Sequence, residues 1–577
     1  MNKYNKIGNK NMGIESFFGG YIRVNYKQCI ERKLPEKVSS LFVDCNGIFH
    51  HCAQKVYGYG DFDGAGMPTQ DTNTLIREIQ GKIEEILKVC APENNFILAP
   101  DGVAVAAKLN QQKSRRFISA ATRTISFDSN QFTPGTDLMI KLDDKLRGWL
   151  KFNKKMLPKN IIYSSHLDPG EGEHKIFQFI RENKIIKGDG AHVLYGLDSD
   201  LIILSLLCPL KNIYLMREDY RSLVNIDKLR EMIRDKFEFE GCNRSRLIKD
   251  FSVLLMFAGN DFLPKLPSFT SIDNYIEIFT RIYKTTKKHI VDESDDIDFQ
   301  VVYKILSKLI DVETRLMSKI IKERLHKYPY PELIKCVTED GKFDEQKFTN
   351  LWYCKQFCPA SGELASLYED NQYYVEAEIG KMSIEFLKTM QWVHKYYTVG
   401  HKMISNTHFY PYIYAPIGKS LHSILNMIFT DKRRTKSRIK KLRDIGPERN
   451  IEITAAHQLL SVIPKRSSKL IPVEVMDVYD NYMDIIIPED FVIKHEGTNL
   501  DWHRTAIIPP VNMNLVSYAL VQDPKYTTPI RLKARPPLIF ENTQYISKQK
   551  MNPGAVRRKM DKFVKTTNYT IKDIQLI

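Results

Sequence analysis

Residues 160–184 read NIIYSSHLDPGEGEHKIFQFIRENK. The first five, Asn160 to Ser164, are rich in β-branched and aromatic side chains over a length suited to a strand. Asp168, Pro169 and Gly170 then make a hinge, because proline fixes φ and glycine tolerates conformations closed to other residues. From 172 to 184 the apolar residues recur at helical spacing, so the unit is strand, turn and helix. Its turn holds Glu171, Glu173, His174 and Lys175, which chain reversal alone does not require.

The same unit recurs outward from this stretch. Short apolar runs occupy 39–44 (SSLFVD), 95–101 (NFILAPD), 192–198 (HVLYGLD) and 212–216 (NIYLM), with helical-period segments such as 72–90 between them. Alternation of this kind predicts an α/β fold, a mostly parallel sheet flanked by helices on both faces. Ligands of such sheets bind at the carboxyl ends of the strands. The charged stretch 284–298, KTTKKHIVDESDDID, interrupts the pattern and is read as the seam before a second, mainly helical lobe. Expected divisions are an N-terminal extension at 1–11, a first domain at 12–280 and a lobe at 281–577 that closes over the site.

Acidic residues stand where those strands end. Asp44 closes one run and Asp101 another, Asp198 and Asp200 follow a third, Glu171 and Glu173 open the 172–184 helix, and Asp261 lies in AGNDFLP. A strand's period of two would send Asp198 and Asp200 to the same side. Singly, each is an ordinary turn former or helix cap. Together, seven carboxylates in one crevice repel one another unless cations neutralise them. Oxygen-only ligation selects Mg²⁺, with Mn²⁺ as the substitute, and two such ions about 4 Å apart suit in-line displacement at a phosphodiester.

Directly after Asp101 comes GVAVAAKLNQQKSRRFISA. Lys108, Gln112, Arg115 and Arg116 are spaced i, i+4, i+7 and i+8, which puts them on one face of a helix. Arginine supplies bidentate contacts to phosphate oxygens, lysine a point charge and glutamine a neutral donor. A formal charge of +16 over 577 residues favours a polyanionic partner. The densest basic run, KRRTKSRIKKLR at 432–443, reads equally as a solvated helix, an RNA-facing patch or a nuclear address. Nine cysteines form no CxxC pair, and only Cys354 and Cys358 lie close together, which argues for a reducing compartment and against zinc. No run of about 18 apolar residues occurs, so no membrane association is expected.

These residues carry a family likeness. MGIESFFGGYI (12–22), FVDCNGIFHHC (42–52), DGVAVAAKLNQQKSRRFISA (101–120), FDSNQFTPGT (127–136), PGEGEHKIFQFIR (169–181), HVLYGLDSDLIILSL (192–206) and FAGNDFLPKLPSF (257–269) resemble the 5′-to-3′ exoribonucleases of the eukaryotic mRNA-decay and nuclear type. The likeness continues through MQWVHKYY (390–397), FYPYIYAP (409–416), QLLSVIPKRSSKLIP (458–472) and DWHRTAIIPPVN (501–512). It implies a PIN/FEN-like nuclease core and a Mg²⁺-dependent, processive hydrolase that takes nucleoside 5′-monophosphates from single-stranded RNA bearing a 5′-monophosphate. By the family pattern Asp44, Asp101, Glu171, Glu173, Asp198, Asp200 and Asp261 hold the metal. Lys108, Gln112, Arg115 and Arg116 grip the 5′-phosphate, and His50 stacks on the terminal base. A role in cytoplasmic mRNA decay beside the decapping machinery, as a monomer, is what the resemblance suggests, with the nucleus as the alternative compartment.

Three departures stand out. SNTHFYP replaces a tryptophan-bearing stretch of the family, leaving His408 as the candidate second stacking ring. Eleven residues precede Met12, and the chain ends soon after the second lobe. Two rival readings use much of the same sequence: a flap-type DNA endonuclease, and a catalytically inactive RNA-binding scaffold.

Overall fold

The computed structural model describes residues 14 and 16–541, apart from 63–66, 68–69, 187, 218–219, 221, 270, 328–334, 339, 358–371, 447–451, 496–503 and 523–531. The amino-terminal arm, Met12 and Cys358 lie outside the described residues.

Five strands make the parallel centre of one sheet: β2 (Val38–Asp44), β3 (Asn95–Ala99), β4 (Asn160–Tyr163), β5 (Ala191–Tyr195) and β6 (Ile213–Met216). Their order, β6-β5-β2-β3-β4, reverses direction between β2 and β5, so the crevice where ligands bind opens beside Asp44. Antiparallel strands finish both edges. β7 (Leu223–Asn225) and β1 (Ile30–Glu31) follow β6, and the strand Leu538–Glu541, from far along the chain, pairs with β4.

Both faces of this sheet are apolar. Leu41, Val43, Phe96, Leu98, Ile161 and Tyr163 enter one core, while Phe42, Ile97, Ile162 and Leu194 enter another on the opposite side. That alternation of two buried faces explains why the strands read as continuous hydrophobic runs. The second core does not stop at the sheet. It runs on through the helices Ile272–Thr286, Phe299–Lys327, Gln372–Thr398 and Gly418–Thr430, taking in Phe279, Leu306, Phe386, Trp392 and Leu421. A third core joins Leu109 and Phe117 of the helix Ala106–Thr122 to Leu459, Val475 and Val516. Among the described residues no helix is long and apolar enough to cross a membrane.

The charged stretch 284–298, read as a seam, is held by bonds to several helices. Asp295 pairs with Lys249 at 2.5 Å, and the Asp295 carbonyl lies 3.0 Å from His394 Nε2. Asp296 accepts from Gln391 at 2.7 Å, and Arg443 donates to Asp292 and to the Ile297 carbonyl, both at 2.7 Å. Local composition does not show these bonds, because the partners lie on helices remote in sequence. Arg443 ends the helix Thr435–Arg443, formed by the basic run, whereas Lys432, Arg433, Arg434, Lys436, Lys440 and Lys441 are exposed.

One buried carboxylate anchors the start of this clamp. Asp250, wholly buried, accepts from the Tyr283 hydroxyl at 2.6 Å and the Val291 N–H at 2.8 Å, and lies 2.6 Å from His289 Nδ1. An Asp250→Ala protein strands three buried polar groups and is expected to lose about 3 kcal/mol or more. Urea denaturation, with Asp250→Asn losing less, checks this.

Candidate functional site

Each carboxylate reaches the crevice from a different local cause. Asp44 is the last residue of β2. β3 ends at Ala99 because Pro100 offers no N–H to the ladder, and Asp101 is then fixed from outside the strand. Asn46 Nδ2 donates to Asp101 Oδ2 at 2.6 Å, Asn46 Oδ1 accepts from the Asp101 N–H at 3.1 Å, and the Gly172 N–H donates to Asp101 Oδ1 at 2.8 Å. Glu171 stands at the N-cap position of the helix Gly172–Arg181, its side chain free of any capping bond, and Glu173 sits in the first turn, where a negative charge meets the positive end of the helix.

Asp198 and Asp200 do not project from a strand as a period of two predicts. β5 stops at Tyr195, Asp198 lies in the following loop, and Asp200 opens the helix Asp200–Leu207. Gly196 leaves room for a packed side chain: a Cβ there would meet Leu201 Cδ1 at 2.2 Å, so Leu201 would have to move. Gly172 is equally constrained, since a Cβ would fall 2.5 Å from the Ala99 carbonyl oxygen and 2.6 Å from Asp44 Oδ1.

These groups converge. Asp44, Asp101 and Glu173 offer oxygens within 4.8 Å of one another, and so do Glu171 and Glu173 with a ring nitrogen of His174. Lys108 is the buried counter-charge, its Nζ 2.5 Å from Glu171 Oε2 and 2.7 Å from Asp261 Oδ2. Burial opposes that ammonium, but Asp261 and Glu171 hold it charged, with its pKa raised. Lys108 thus stands among the carboxylates as well as on the basic face. Arg115 Nη2 lies 3.6 Å from Asp261 Oδ1, and Arg116 Nη2 donates to Gln112 Oε1 at 3.2 Å, so the four residues of that face stay together beside the hollow. Lys175 turns away, donating to the Ser165 carbonyl at 2.8 Å.

Two tyrosines complete the hollow from the helical region. Tyr396 donates to Glu171 Oε1 at 2.8 Å and Tyr397 to Asp200 Oδ2 at 3.0 Å. Burial, then the neighbouring carboxylates, raises both phenol pKa values far above neutrality, so they remain donors. His174 stacks on Tyr396 with centroids 3.8 Å apart, and burial keeps its imidazole neutral. Neither Asn46 nor the tyrosines stood out as functional in sequence. The only signals were Asn46 two residues after Asp44 and the paired tyrosines of MQWVHKYY.

The two candidate stacking rings have different surroundings. His50 lies one turn beyond Asn46 on the same helical face and meets the edge of Phe132 at 4.9 Å. His408 Nε2 lies 2.9 Å from Thr389 Oγ1, and its ring is 6.1 Å from Trp392, which stacks in turn on Tyr396.

The donor set fits hard divalent cations. Asp44 Oδ1 and Asp200 Oδ1 are buried without a hydrogen-bond partner, the condition that a cation relieves. Burial, then the charges of Asp101 and Asp198, pushes the Asp44 carboxyl well above its ordinary range. Burial, then Glu171 and Asp44, does the same to Glu173. Burial raises Asp198 to about 6, and burial with the Asp261 charge raises Asp200 to about 8.

Two expectations follow from this geometry. At Asp198 and Asp200, with folded pKa values above the unfolded 3.8, the metal-free folded protein binds more protons than the unfolded chain, and the stability these two groups contribute is lost as pH rises toward 8. Divalent cations compete with those protons, so the Mg²⁺-induced rise in Tm should grow from pH 6 to pH 8. A shift that shrinks toward pH 8 would contradict the assignment. Gly172→Ala should displace Asp44 or the β3 backbone and cut turnover on the order of 100-fold with the fold retained, measured by steady-state kinetics and circular dichroism.

Comparison with known proteins agrees with this geometry. The model of the XRN 5′-3′ exonuclease N-terminus matches residues 12–125 and 121–219, and that of the Xrn1 helical domain matches 241–354 and 368–522. The 5′-3′ exoribonuclease 1 of Homo sapiens is 26% identical, over 83% of this chain and 32% of its own length. That of Schizosaccharomyces pombe is 26% identical, over 90% of this chain and 49% of its own. The chain therefore spans about a third to a half of the length of these relatives. The T5 D15 protein, co-crystallized with metal ions, aligns over 49% of this chain and 98% of its own at 10% identity and a TM-score of 0.26. With the two family models together matching most of its length, the chain belongs to the XRN family of 5′-3′ exoribonucleases.

Proposed function

We propose that this chain is a processive 5′-to-3′ exoribonuclease that hydrolyses single-stranded RNA bearing a 5′-monophosphate to nucleoside 5′-monophosphates. The observation that carries this reading is the bridge between the two charged groups: Lys108 pairs with both Glu171 and Asp261, and Arg115 approaches Asp261 from the basic face. A phosphate held by that face would lie beside the carboxylate hollow.

In this reading Lys108, Gln112, Arg115 and Arg116 bind the 5′-phosphate and His50 stacks on the first base, with His408 the candidate second ring. Stacking of this kind contributes roughly 1–3 kcal/mol per base. The next phosphodiester is thereby laid over Asp44, Asp101, Glu171, Glu173, Asp198, Asp200 and Asp261, which would hold two Mg²⁺ ions, with Mn²⁺ as a substitute. Such cations supply Lewis acidity that activates water and offsets charge on the departing 3′-oxygen. Tyr396 and Tyr397 keep Glu171 and Asp200 oriented. Water adds to phosphorus, the bond to the 3′-oxygen breaks, and the shortened RNA again begins with a 5′-monophosphate. Each product end thus resembles the original end, which supports repeated cleavage in one direction.

We assign the chemistry to a nuclease domain at 12–280 and the closure of the site to 281–577. The protein would act as a monomer in cytoplasmic mRNA decay, on RNA whose cap a decapping activity has removed.

The decisive assay uses a 3′-labelled RNA carrying a 5′-monophosphate, 5′-triphosphate or 5′-hydroxyl, incubated with Mg²⁺. Only the monophosphorylated RNA should be degraded processively, and an Asp198→Ala/Asp200→Ala protein should be inert. Equal loss of all three RNAs would refute the phosphate pocket, and a single cut at a DNA flap would favour the endonuclease. Tyr396→Phe frees one oxygen of Glu171 and is expected to lower kcat roughly tenfold with little change in KM, by steady-state kinetics.

A further inference from the structure

The helix Ala106–Thr122 is held along the side opposite its basic face. The Ala106 N–H donates to the Asn406 carbonyl at 2.9 Å, and Asn110 Oδ1 accepts from the Val511 N–H at 3.1 Å. Lys113 Nζ donates to the carbonyls of Ile486 and Pro509 at 2.5 and 2.9 Å, and Ser114 Oγ accepts from the Ala506 N–H at 3.2 Å. Positions 106, 110, 113 and 114 share one stripe at helical spacing, while 108, 112, 115 and 116 share the other.

One side chain of the later region crosses from the backing side to the basic face. Gln458, wholly buried on the helix Ala455–Val462, accepts from the Ala104 N–H through Oε1 at 3.2 Å. Its Nε2 donates to Gln112 Oε1, also at 3.2 Å. The same Gln112 oxygen accepts from Arg116 Nη2.

Amide oxygen and nitrogen are hard to tell apart by shape, but here the neighbours decide their placement. A backbone N–H only donates, so Gln458 must turn its oxygen to Ala104 and its NH₂ to Gln112. A guanidinium also only donates, so Gln112 must turn its oxygen to Arg116. Both constraints demand the same orientation. The Gln112 NH₂ is left facing away from Gln458 and Arg116, and it donates to no other described residue.

We propose that Gln458 is a positioning residue for recognition of the RNA 5′-phosphate: it fixes the Gln112 amide with its two N–H donors presented to the phosphate. This rests on reading the Lys108, Gln112, Arg115 and Arg116 face as the 5′-phosphate pocket. The later region is then part of end recognition, although none of its residues in this chain of bonds touches the phosphate. In Gln458→Glu, the second carboxylate oxygen replaces the donor and faces Gln112 Oε1. The Gln112 amide then turns over, presenting an oxygen to the anion.

The test is a double-mutant cycle on 5′-monophosphorylated RNA, with Gln112→Ala, Gln458→Glu and the double variant, each checked for an unchanged melting temperature in Mg²⁺. Gln458→Glu is expected to raise KM about tenfold, more than it changes kcat. In the Gln112→Ala background the same change should raise KM less than about twofold, because no amide remains to misorient. Gln458→Met, which keeps the volume without a donor, should give a smaller rise because Arg116 still holds the oxygen, and it carries the test if the glutamate variant fails to fold. The proposal is overturned if the folded Gln458 variants leave KM unchanged, or if their effect multiplies in full with that of Gln112→Ala. If Gln112→Ala itself leaves KM unaltered, the phosphate pocket is misassigned, a separate failure.

Discussion

Repulsion among the buried carboxylates shapes the molecule around it. Two unit charges at 4.8 Å, the span of the Asp44, Asp101 and Glu173 oxygens, repel by roughly 3–4 kcal/mol at an effective dielectric near 20. Several such pairs would exceed the total stability of an ordinary domain, about 5–15 kcal/mol. One ammonium, Lys108, offsets part of this; burial first, and then the neighbouring charges, raises the pKa values of Asp44, Glu173 and Asp200 toward the protonated form when no cation is bound. A hollow so costly to assemble has to be over-determined by its surroundings. The parallel sheet does this by delivering Asp44 at its switch point, and Gly172 and Gly196 do it by leaving room where any side chain would collide.

Much of that support comes from later in the chain. Tyr396 and Tyr397 orient carboxylates of the first domain, Gln458 orients a residue of the basic face, and one hydrophobic core runs from the sheet into the helices beyond residue 272. The charged strap at 289–297 ties the same parts together through Asp250, Asp292, Asp295 and Asp296. These polar links are worth more than surface ion pairs because most have a buried member with its donors or acceptors paired. The carboxylate hollow and the basic face are therefore products of the described chain well beyond the first sheet.

The α/β pattern was legible because each central strand buries both faces and so appears as an uninterrupted apolar run of strand length. The basic face was legible because Lys108, Gln112, Arg115 and Arg116 lie within nine residues, where helical periodicity alone brings side chains together. Strand periodicity does not account for how Asp198 and Asp200 are presented, because β5 stops at Tyr195 and the two carboxylates lie in a loop and at a helix start. The bonds made by the stretch 284–298 were not legible, because local composition does not reveal partners such as His394 and Arg443, 99 and 151 residues from the groups they meet.

The sequence by itself determined the main element types, the carboxylate inventory and the basic face of one helix, since periodicity, strand ends and residue chemistry are local properties. Only the tertiary structure decided that Lys108 sits between Glu171 and Asp261, that Asn46 holds Asp101, and that Tyr396, Tyr397 and Gln458 enter the site. It also decided that Leu538–Glu541 returns to the edge of the first sheet. Such hydrogen bonds and strand pairings join residues tens to hundreds of positions apart. No local pattern encodes them, because they exist only after hydrophobic packing has brought the helices and the sheet to a common centre.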